Sequence, residues 1–223
     1  MYCIQLFIFK SPRDTLFYLF QDLAFVPLQV IIVTLVLNKL LTAKEKQEKL
    51  LKLNTVISAY FSEIGTETII RMSESIANLS GLQSYLRVNS GWNDAEFKRS
   101  VDMVRDFEFK GVCTSGQLLL LREFLHLNKP YLLHMFDNPN LLEHDAFTEM
   151  LWSVLHVSQE LEFRESLEGL PENDMAHLSN DVTRAYRFLI AEWLCYMKYL
   201  KKDYPYLFSL AVRKNPFEGK AEV

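Results

Sequence analysis

The sequence predicts an all-α protein with a single N-terminal transmembrane helix followed by a cytoplasmic helical bundle of about five or six helices. An uninterrupted apolar run near the amino terminus predicts the first part. Repeated helix-start signals, with apolar residues spaced three and four apart, predict the second. The sequence carries no alternating strand pattern, Asn-Gly hairpin turn or internal repeat. Its 223 residues suffice for one medium-sized domain plus an anchor.

The amino-acid composition limits the classes of protein to which this sequence can belong. Hydrophobic residues make up 49% and aromatic residues 13%, with 7 glycines and 7 prolines, which indicates a folded chain. A formal net charge of -4 gives no overall basic field, so no nucleic-acid partner is expected. The cysteines Cys3, Cys113 and Cys195 are far apart and form no C-x-x-C pair, which predicts reduced thiols in a reducing compartment.

The apolar run is LAFVPLQVIIVTLVLNKLL, residues 23–41. As a helix it would cover about 28 Å, close to the hydrocarbon thickness of about 30 Å, which predicts a membrane span in contact with lipid. A cleaved export signal is disfavoured, because the run is followed by Asn38, Lys39, Leu40, Leu41 and Thr42 rather than by a small-residue cleavage site. A buried core helix remains the alternative, since short apolar runs also occur in soluble cores.

Lysines are unequally distributed around this run. Only Lys10 and Arg13 precede it, whereas Lys39 lies at its end and Lys44, Lys46, Lys49 and Lys52 follow. The positive-inside rule therefore places the N-terminus outside the cell membrane and the C-terminal part in the cytoplasm. The predicted divisions are a short extracytoplasmic or interfacial segment at 1–22, the transmembrane helix at 23–41, a juxtamembrane helix at 42–80 and the remaining cytoplasmic domain at 92–223.

Apolar stripes and caps predict the helices beyond the span. One stripe predicts a helix continuing from the membrane; it consists of Leu50, Leu53, Ile57, Tyr60 and Ile64. A capping box of Asn93 and Glu96, with Trp92 packed on Phe97, starts the next helix, and Gly111 is expected to end it.

The last three predicted helices are bounded by turn residues. Thr114 and Gln117 form a second capping pair, and that helix is expected to end near Asn128, ahead of Pro130. A turn is predicted at 137–140, a helix from Leu141 to about Glu168, and a last long helix over 174–202.

A candidate metal site arises from one helical face that carries Glu149, His156 and Glu160. Neighbouring helices offer further ligands, namely Glu63, Glu67, Asp174, His177 and Asp181. Imidazole and carboxylate groups bind iron, manganese or zinc, and helical bundles build such sites from inward side chains. Asp174-x-x-His177 loosely resembles the Glu-x-x-His pattern of ferritin-like di-iron proteins, although a paired Glu-x-x-His is missing. The alternative is that these groups make ordinary polar contacts within a bundle.

Known catalytic motifs are missing from the sequence. It contains no G-x-x-x-x-G-K-[ST], G-x-G-x-x-G, G-x-S-x-G or H-E-x-x-H. Cys113 near Lys110 could form a low-pKa thiol, but no base is positioned beside it, which favours an inert cysteine. We therefore expect no catalytic residue and no cofactor outside the metal alternative, and the sequence favours a protein that is not an enzyme.

The sequence thus predicts a single-pass membrane protein that acts by protein–protein interaction, as a scaffold, regulatory adaptor or assembly subunit. The alternative is a membrane-tethered metal-binding bundle with possible redox activity. Thr34 and Asn38 in the span, and Ile57 on the following stripe, are the expected contacts of a homo-oligomer. Equally, Asn38 can reach interfacial water and the stripe can pack into its own bundle.

Overall fold

The structure is a computed structural model that describes residues 2–142 and 144–218. Those residues form helices, turns and loops without a strand, which confirms the predicted all-α class. The chain divides into two compact units, Met1–Leu51 and Lys52–Val223. The helices are α1 (Tyr2–Phe9), α2 (Pro12–Tyr60), α3 (Thr66–Ser73), α4 (Gln83–Leu86), α5 (Asp94–Asp106), α6 (Ser115–Met135), α7 (Pro139–Leu142), α8 (Asp145–Phe163), α9 (Glu172–Asp203) and α10 (Pro205–Arg213).

The first unit consists of α1 and the greater part of α2. Pro12 occupies the first turn of α2, where its missing N–H costs no hydrogen bond, and Pro27 lies inside the helix. The stretch Pro12–Ser73 is long and apolar enough to cross a membrane, judged by length and composition, and none of its most apolar part is buried.

A π-helical segment, Phe61–Gly65, joins α2 to α3. The Thr66 hydroxyl donates to the Phe61 carbonyl at 2.8 Å, across the widened turn. A Cβ on Gly65 would lie 2.6 Å from the Tyr60 ring and 2.7 Å from the Phe61 ring, so only glycine fits. The predicted helix over 42–80 is continuous as far as Ser73, after which the chain turns before a short 3₁₀ helix, Leu79–Leu82.

The hydrophobic core of the second unit surrounds α9. This helix contacts α3, α5, α8 and α10, while α6 packs against α8. Its buried side chains recur every three or four residues and include Leu178, Val182, Tyr186, Leu189, Trp193, Met197 and Leu200. Within the described residues this unit contains the end of α2 and the helices α3 to α10. The predicted number of five or six helices is lower, because the one-turn helices α4 and α7 are too short to show a helical period.

Both predicted capping boxes are confirmed. Asn93 and Glu96 cap α5 reciprocally, as Thr114 and Gln117 cap α6. The Trp92 and Phe97 rings meet edge to face at 5.1 Å, which fixes the entry of the chain into α5.

The predicted end of α5 at Gly111 is wrong. The helix ends at Asp106, and Phe107 and Phe109 then turn inward, with the Phe109 ring 5.6 Å from that of Tyr186. Gly111 instead lies in an isolated antiparallel bridge with Ile76. A Cβ there would be 2.3 Å from Thr183 Oγ1, so this glycine allows the backbone to approach α9 closely.

The predicted end of α6 near Asn128 is also wrong, because the helix continues through Pro130 to Met135. An internal proline costs about 3 kcal/mol. Leu132 and Met135 are buried in the core beyond it, and this burial offsets the cost. Asn128 Nδ2 donates to the Phe124 carbonyl at 2.8 Å within the same stretch.

The predicted helix from Leu141 to about Glu168 is shorter in the structure. The short helix α7 occupies part of the expected turn, and α8 starts at Asp145, where the Phe147 N–H donates to His144 Nδ1 at 3.1 Å. Arg164 has an extended backbone that ends α8 five residues before Gly169, whose φ is +67°. The last predicted helix begins at Glu172 and ends at Asp203, close to its expected limits.

Candidate metal centre

The candidate site lies on the contact between α8 and α9, which form a helical hairpin. His177 near the start of α9 faces Glu160 near the end of α8, with 3.7 Å between Nε2 and Oε2. Asp181, one turn further along α9, faces His156, one turn earlier on α8, with 3.4 Å between Oδ2 and Nε2. The helices are therefore antiparallel here, and the i,i+4 spacing on each places two side chains on the shared face.

Three of these groups are close enough to share one ion. The ligand atoms of Glu160, His177 and Asp181 all lie within 4.8 Å of one another. His177 Nε2 is 3.3 Å from Asp181 Oδ2, and His156 adjoins the group through the same oxygen. The structure thus brings together four of the eight residues named as candidate ligands, namely His156, Glu160, His177 and Asp181.

Asp181 is the buried centre of the group, with 5% of its surface exposed. Arg184 Nη2 donates to its Oδ1 at 2.8 Å, whereas its Oδ2 has no hydrogen-bond partner. The two imidazoles lie near Oδ2 at ion-pair distances without the angles of a hydrogen bond. Leaving a buried acceptor without a donor costs about 1–3 kcal/mol, so this oxygen stands in a position that favours a cation.

Arg164 fixes the neighbouring carboxylates. Its guanidinium donates to Glu160 Oε2 at 2.9 Å and to Asp174 Oδ1 at 2.7 Å, tying the end of α8 to the start of α9. The hydrogen bond from Arg164 is the largest influence on the pKa of Glu160 and, with the charges of Arg164, His156 and His177, lowers it against the opposing effect of burial. The same two carboxylates raise the pKa of Arg164. Glu160 is therefore anionic at neutral pH.

Solvent can reach the group from the histidine side. The His177 side chain is 54% exposed and that of His156 is 41% exposed. The arrangement combines a buried carboxylate, two accessible imidazoles and a second carboxylate held by arginine. Such a set can bind a divalent cation that enters from solvent.

Residues 49–213 match the family model described as "Uncharacterized protein MJ1433, C-terminal helical domain", and residues 1–41 match "MJ1433, N-terminal helical domain". The chain belongs to the MJ1433 family. It is similar to the uncharacterized protein MJ1433 of Methanocaldococcus jannaschii, with 38% identity over 221 residues that cover 99% of this chain and 89% of the relative. No solved structure matches it.

The four clustered residues all fall within the part that matches the C-terminal helical domain of the MJ1433 family. The other predicted ligands do not join them. Glu149 and Glu63 are exposed, Glu67 pairs with Arg71 at 2.8 Å, and Asp174 pairs with Arg164.

Sequence reasoning missed a local repeat that marks the site. His156-Val-Ser-Gln-Glu160 and His177-Leu-Ser-Asn-Asp181 share the pattern histidine, aliphatic residue, serine, polar residue, acid. The arginines that hold the two acids, Arg164 and Arg184, were also missed. They follow their acids by four and three residues, a spacing that points to the same helical face.

The predicted oligomer contacts lie in different environments. Thr34 and Asn38 are exposed, in the part that matches the N-terminal helical domain of the MJ1433 family. Ile57 is buried in the hydrophobic core of the second unit.

Proposed function

We propose that this protein is anchored in the cell membrane by the single apolar stretch of α2, with the N-terminus outside and the helical domain in the cytoplasm. The domain acts by binding a protein partner, as a scaffold, regulatory adaptor or assembly subunit. The main observation that supports the anchor is that the apolar surface of this helix is exposed on all sides.

This exposure supports a membrane span more than a soluble core helix. Apolar side chains on every face of this helix are exposed, among them Val30, Ile31, Ile32, Val33, Leu35, Val36 and Leu37. Core helices bury their apolar residues against neighbouring elements, and water disfavours an apolar surface of this extent. Lipid is the environment that suits it, because a helix satisfies its backbone groups internally.

The second unit offers support for a binding role. Leu127 on α6 and Phe163 at the end of α8 are large apolar side chains that are 78% and 88% exposed. Aromatic residues such as Phe163 are enriched in contact surfaces between proteins. The sequence also contains only 7 glycines and none of the common phosphate-binding motifs, which favours binding over nucleotide-dependent catalysis.

A cysteine-accessibility experiment tests the anchor and its orientation. In a cysteine-free full-length background, Ser11→Cys and Lys44→Cys flank the apolar stretch. An impermeant maleimide should label Ser11→Cys in intact cells and Lys44→Cys only after lysis. Labelling of Lys44→Cys before lysis would overturn the orientation, and recovery of the full chain in the soluble fraction would overturn the anchor.

A charge in the middle of the stretch provides a matched test of insertion. Ile32→Asp places a carboxylate at the centre of the span, where it costs about 3 kcal/mol. We expect much less of this variant than of the wild type in the membrane fraction. Leu127→Asp, an equal change at an exposed position of α6, should leave insertion unaffected.

Site-specific crosslinking tests the binding role. A photoreactive residue at Leu127 or Phe163 should give a discrete protein adduct in native membranes, and the same residue at exposed Glu108 should not. If neither position gives a protein adduct, the binding role is contradicted, while the anchor is unaffected.

A further inference from the structure

The distances at the α8–α9 contact match those between ligands of one metal ion. Bonds of about 2.0–2.1 Å in tetrahedral geometry place ligand atoms about 3.3 Å apart. His177 Nε2 lies 3.3 Å from Asp181 Oδ2, and His156 Nε2 lies 3.4 Å from the same atom. Glu160 Oε2 follows at 3.7 Å from His177 Nε2.

An independent observation comes from Asp181. This side chain is buried, yet its Oδ2 has no hydrogen-bond partner, although Oδ1 of the same carboxylate is satisfied by Arg184. The unsatisfied oxygen is the one that faces both imidazoles. The large majority of buried side-chain acceptors in native proteins are paired, and an unpaired carboxylate oxygen that faces two imidazoles is a position that a cation would fill.

The surrounding residues hold the ligands in the way that metal sites require. Arg184 orients the Asp181 carboxylate, and Arg164 orients that of Glu160. Outer contacts of this kind fix ligand geometry and are worth about 10–100-fold in metal affinity. Each helix also supplies one imidazole and one carboxylate, so an ion would join the two arms of the hairpin.

We propose that His156, Glu160, His177 and Asp181 bind one divalent transition-metal ion through two imidazole Nε2 atoms and two carboxylate oxygens. Mixed nitrogen and oxygen ligands suit zinc and its first-row neighbours, whereas calcium and magnesium prefer oxygen ligands alone. The ligand atoms of Glu160, His177 and Asp181 already lie within 4.8 Å of one another, and His156 Nε2 adjoins them at 3.4 Å from Asp181 Oδ2. The proposal is independent of the membrane anchor.

An ordinary ion-pair network is the competing explanation, and the chain contains matched controls for it. His134 Nδ1 lies 3.1 Å from Asp137 Oδ2, and His126 Nδ1 lies 2.9 Å from Glu162 Oε1. Both histidine side chains are exposed and lie outside the cluster. These pairs have the same chemistry without a second imidazole. Replacing either histidine by alanine should therefore leave metal binding unchanged.

Metal analysis of the detergent-solubilised full-length protein tests the proposal. After chelation and dialysis against Zn²⁺, the wild type should retain one equivalent, and Co²⁺ should give the visible absorption of a tetrahedral complex. Asp181→Asn and His177→Gln remove ligands, so each should lower Zn²⁺ affinity by more than the about 10–100-fold that the loss of an outer contact costs. His134→Ala and His126→Ala should bind as the wild type does.

The variants are chosen so that a folding defect cannot be mistaken for a lost ligand. His177 is half exposed, so His177→Gln leaves the core intact, and far-ultraviolet circular dichroism verifies the helix content. Retention of one equivalent of Zn²⁺ by folded His177→Gln and Asp181→Asn would overturn the proposal. So would a wild type that binds no more Zn²⁺ and Co²⁺ than exposed histidines account for.

Discussion

His177 Nε2 lies 3.3 Å from Asp181 Oδ2, one turn away on the same helix, and that oxygen receives no hydrogen bond. The neighbouring acids differ, since Glu160 and Asp174 are both engaged by Arg164. A folded domain that pairs these two carboxylates with an arginine but leaves one oxygen of the buried Asp181 carboxylate without a donor bears a local free-energy cost. A metal ion between α8 and α9 would remove that cost.

Thermal stability should therefore depend on metal. With free Zn²⁺ at about 100 times its dissociation constant, binding to the folded state should raise the Tm by roughly 5–10 °C. Asp181→Asn should abolish this shift and His134→Ala should retain it. Calorimetry or a dye-based melt of the full-length protein, with and without chelator, makes the measurement. An equal shift in wild type and Asp181→Asn would mean that Zn²⁺ binds elsewhere.

The fold was predictable where local chemistry decides it. Capping boxes at Asn93 and Thr114 start α5 and α6 as predicted, because side chain and backbone satisfy one another within four residues. The ends of α5, α6 and α8 depend on distant contacts and were misplaced. Pro130 is tolerated inside α6 because the residues after it are buried, and Gly111 serves a close contact with α9 rather than a helix end.

The candidate site was predictable to a similar degree. Helical spacing correctly selected His156 and Glu160 as neighbours, and it named His177 and Asp181 as possible partners. It also admitted Glu149, which shares their face but lies about two turns from His156 and is exposed. The register between α8 and α9 separates these cases, and that register is set by the loop at 164–171 and by core contacts that no local pattern reveals.

Gly111→Ala should destabilise the helical domain by about 1–3 kcal/mol. The added methyl group would lie 2.3 Å from Thr183 Oγ1 and 2.7 Å from the Ser179 carbonyl, so the backbone must move away from α9. Gly116→Ala is the matched control, because nothing lies within 4 Å of its added Cβ and alanine favours a helix by up to about 1 kcal/mol. Denaturant titration followed by circular dichroism measures both, and equal stabilities for the two variants would contradict the close approach.

Glu192→Gln should stabilise the protein at alkaline pH more than at acidic pH. Burial is the main cause that raises the pKa of Glu192, against the opposing charges of His144 and Arg105. The folded state therefore binds the Glu192 proton more tightly than the unfolded state does. The protonated side chain contributes stability that is fully present below the unfolded pKa and is lost as pH rises through the folded pKa. Glutamine removes that dependence. Denaturant titrations at about pH 4.5 and about pH 8 measure the free energy of unfolding of wild type and Glu192→Gln, with exposed Glu123→Gln as the control. A gain in the free energy of unfolding that is the same at both pH values would contradict this prediction.

Self-association through the apolar stretch should depend on Thr34 and Asn38. Both side chains are exposed, lie on one face four residues apart, and can hydrogen-bond to an equivalent helix where lipid offers no partner. Each contact contributes about 1 kcal/mol, so Thr34→Val/Asn38→Leu should reduce crosslinked dimer in native membranes at low expression. Val36→Leu, on the opposite face of the helix, should leave the dimer unchanged. A dimer that persists in the double variant, or is lost equally in Val36→Leu, would show that this face is not the interface.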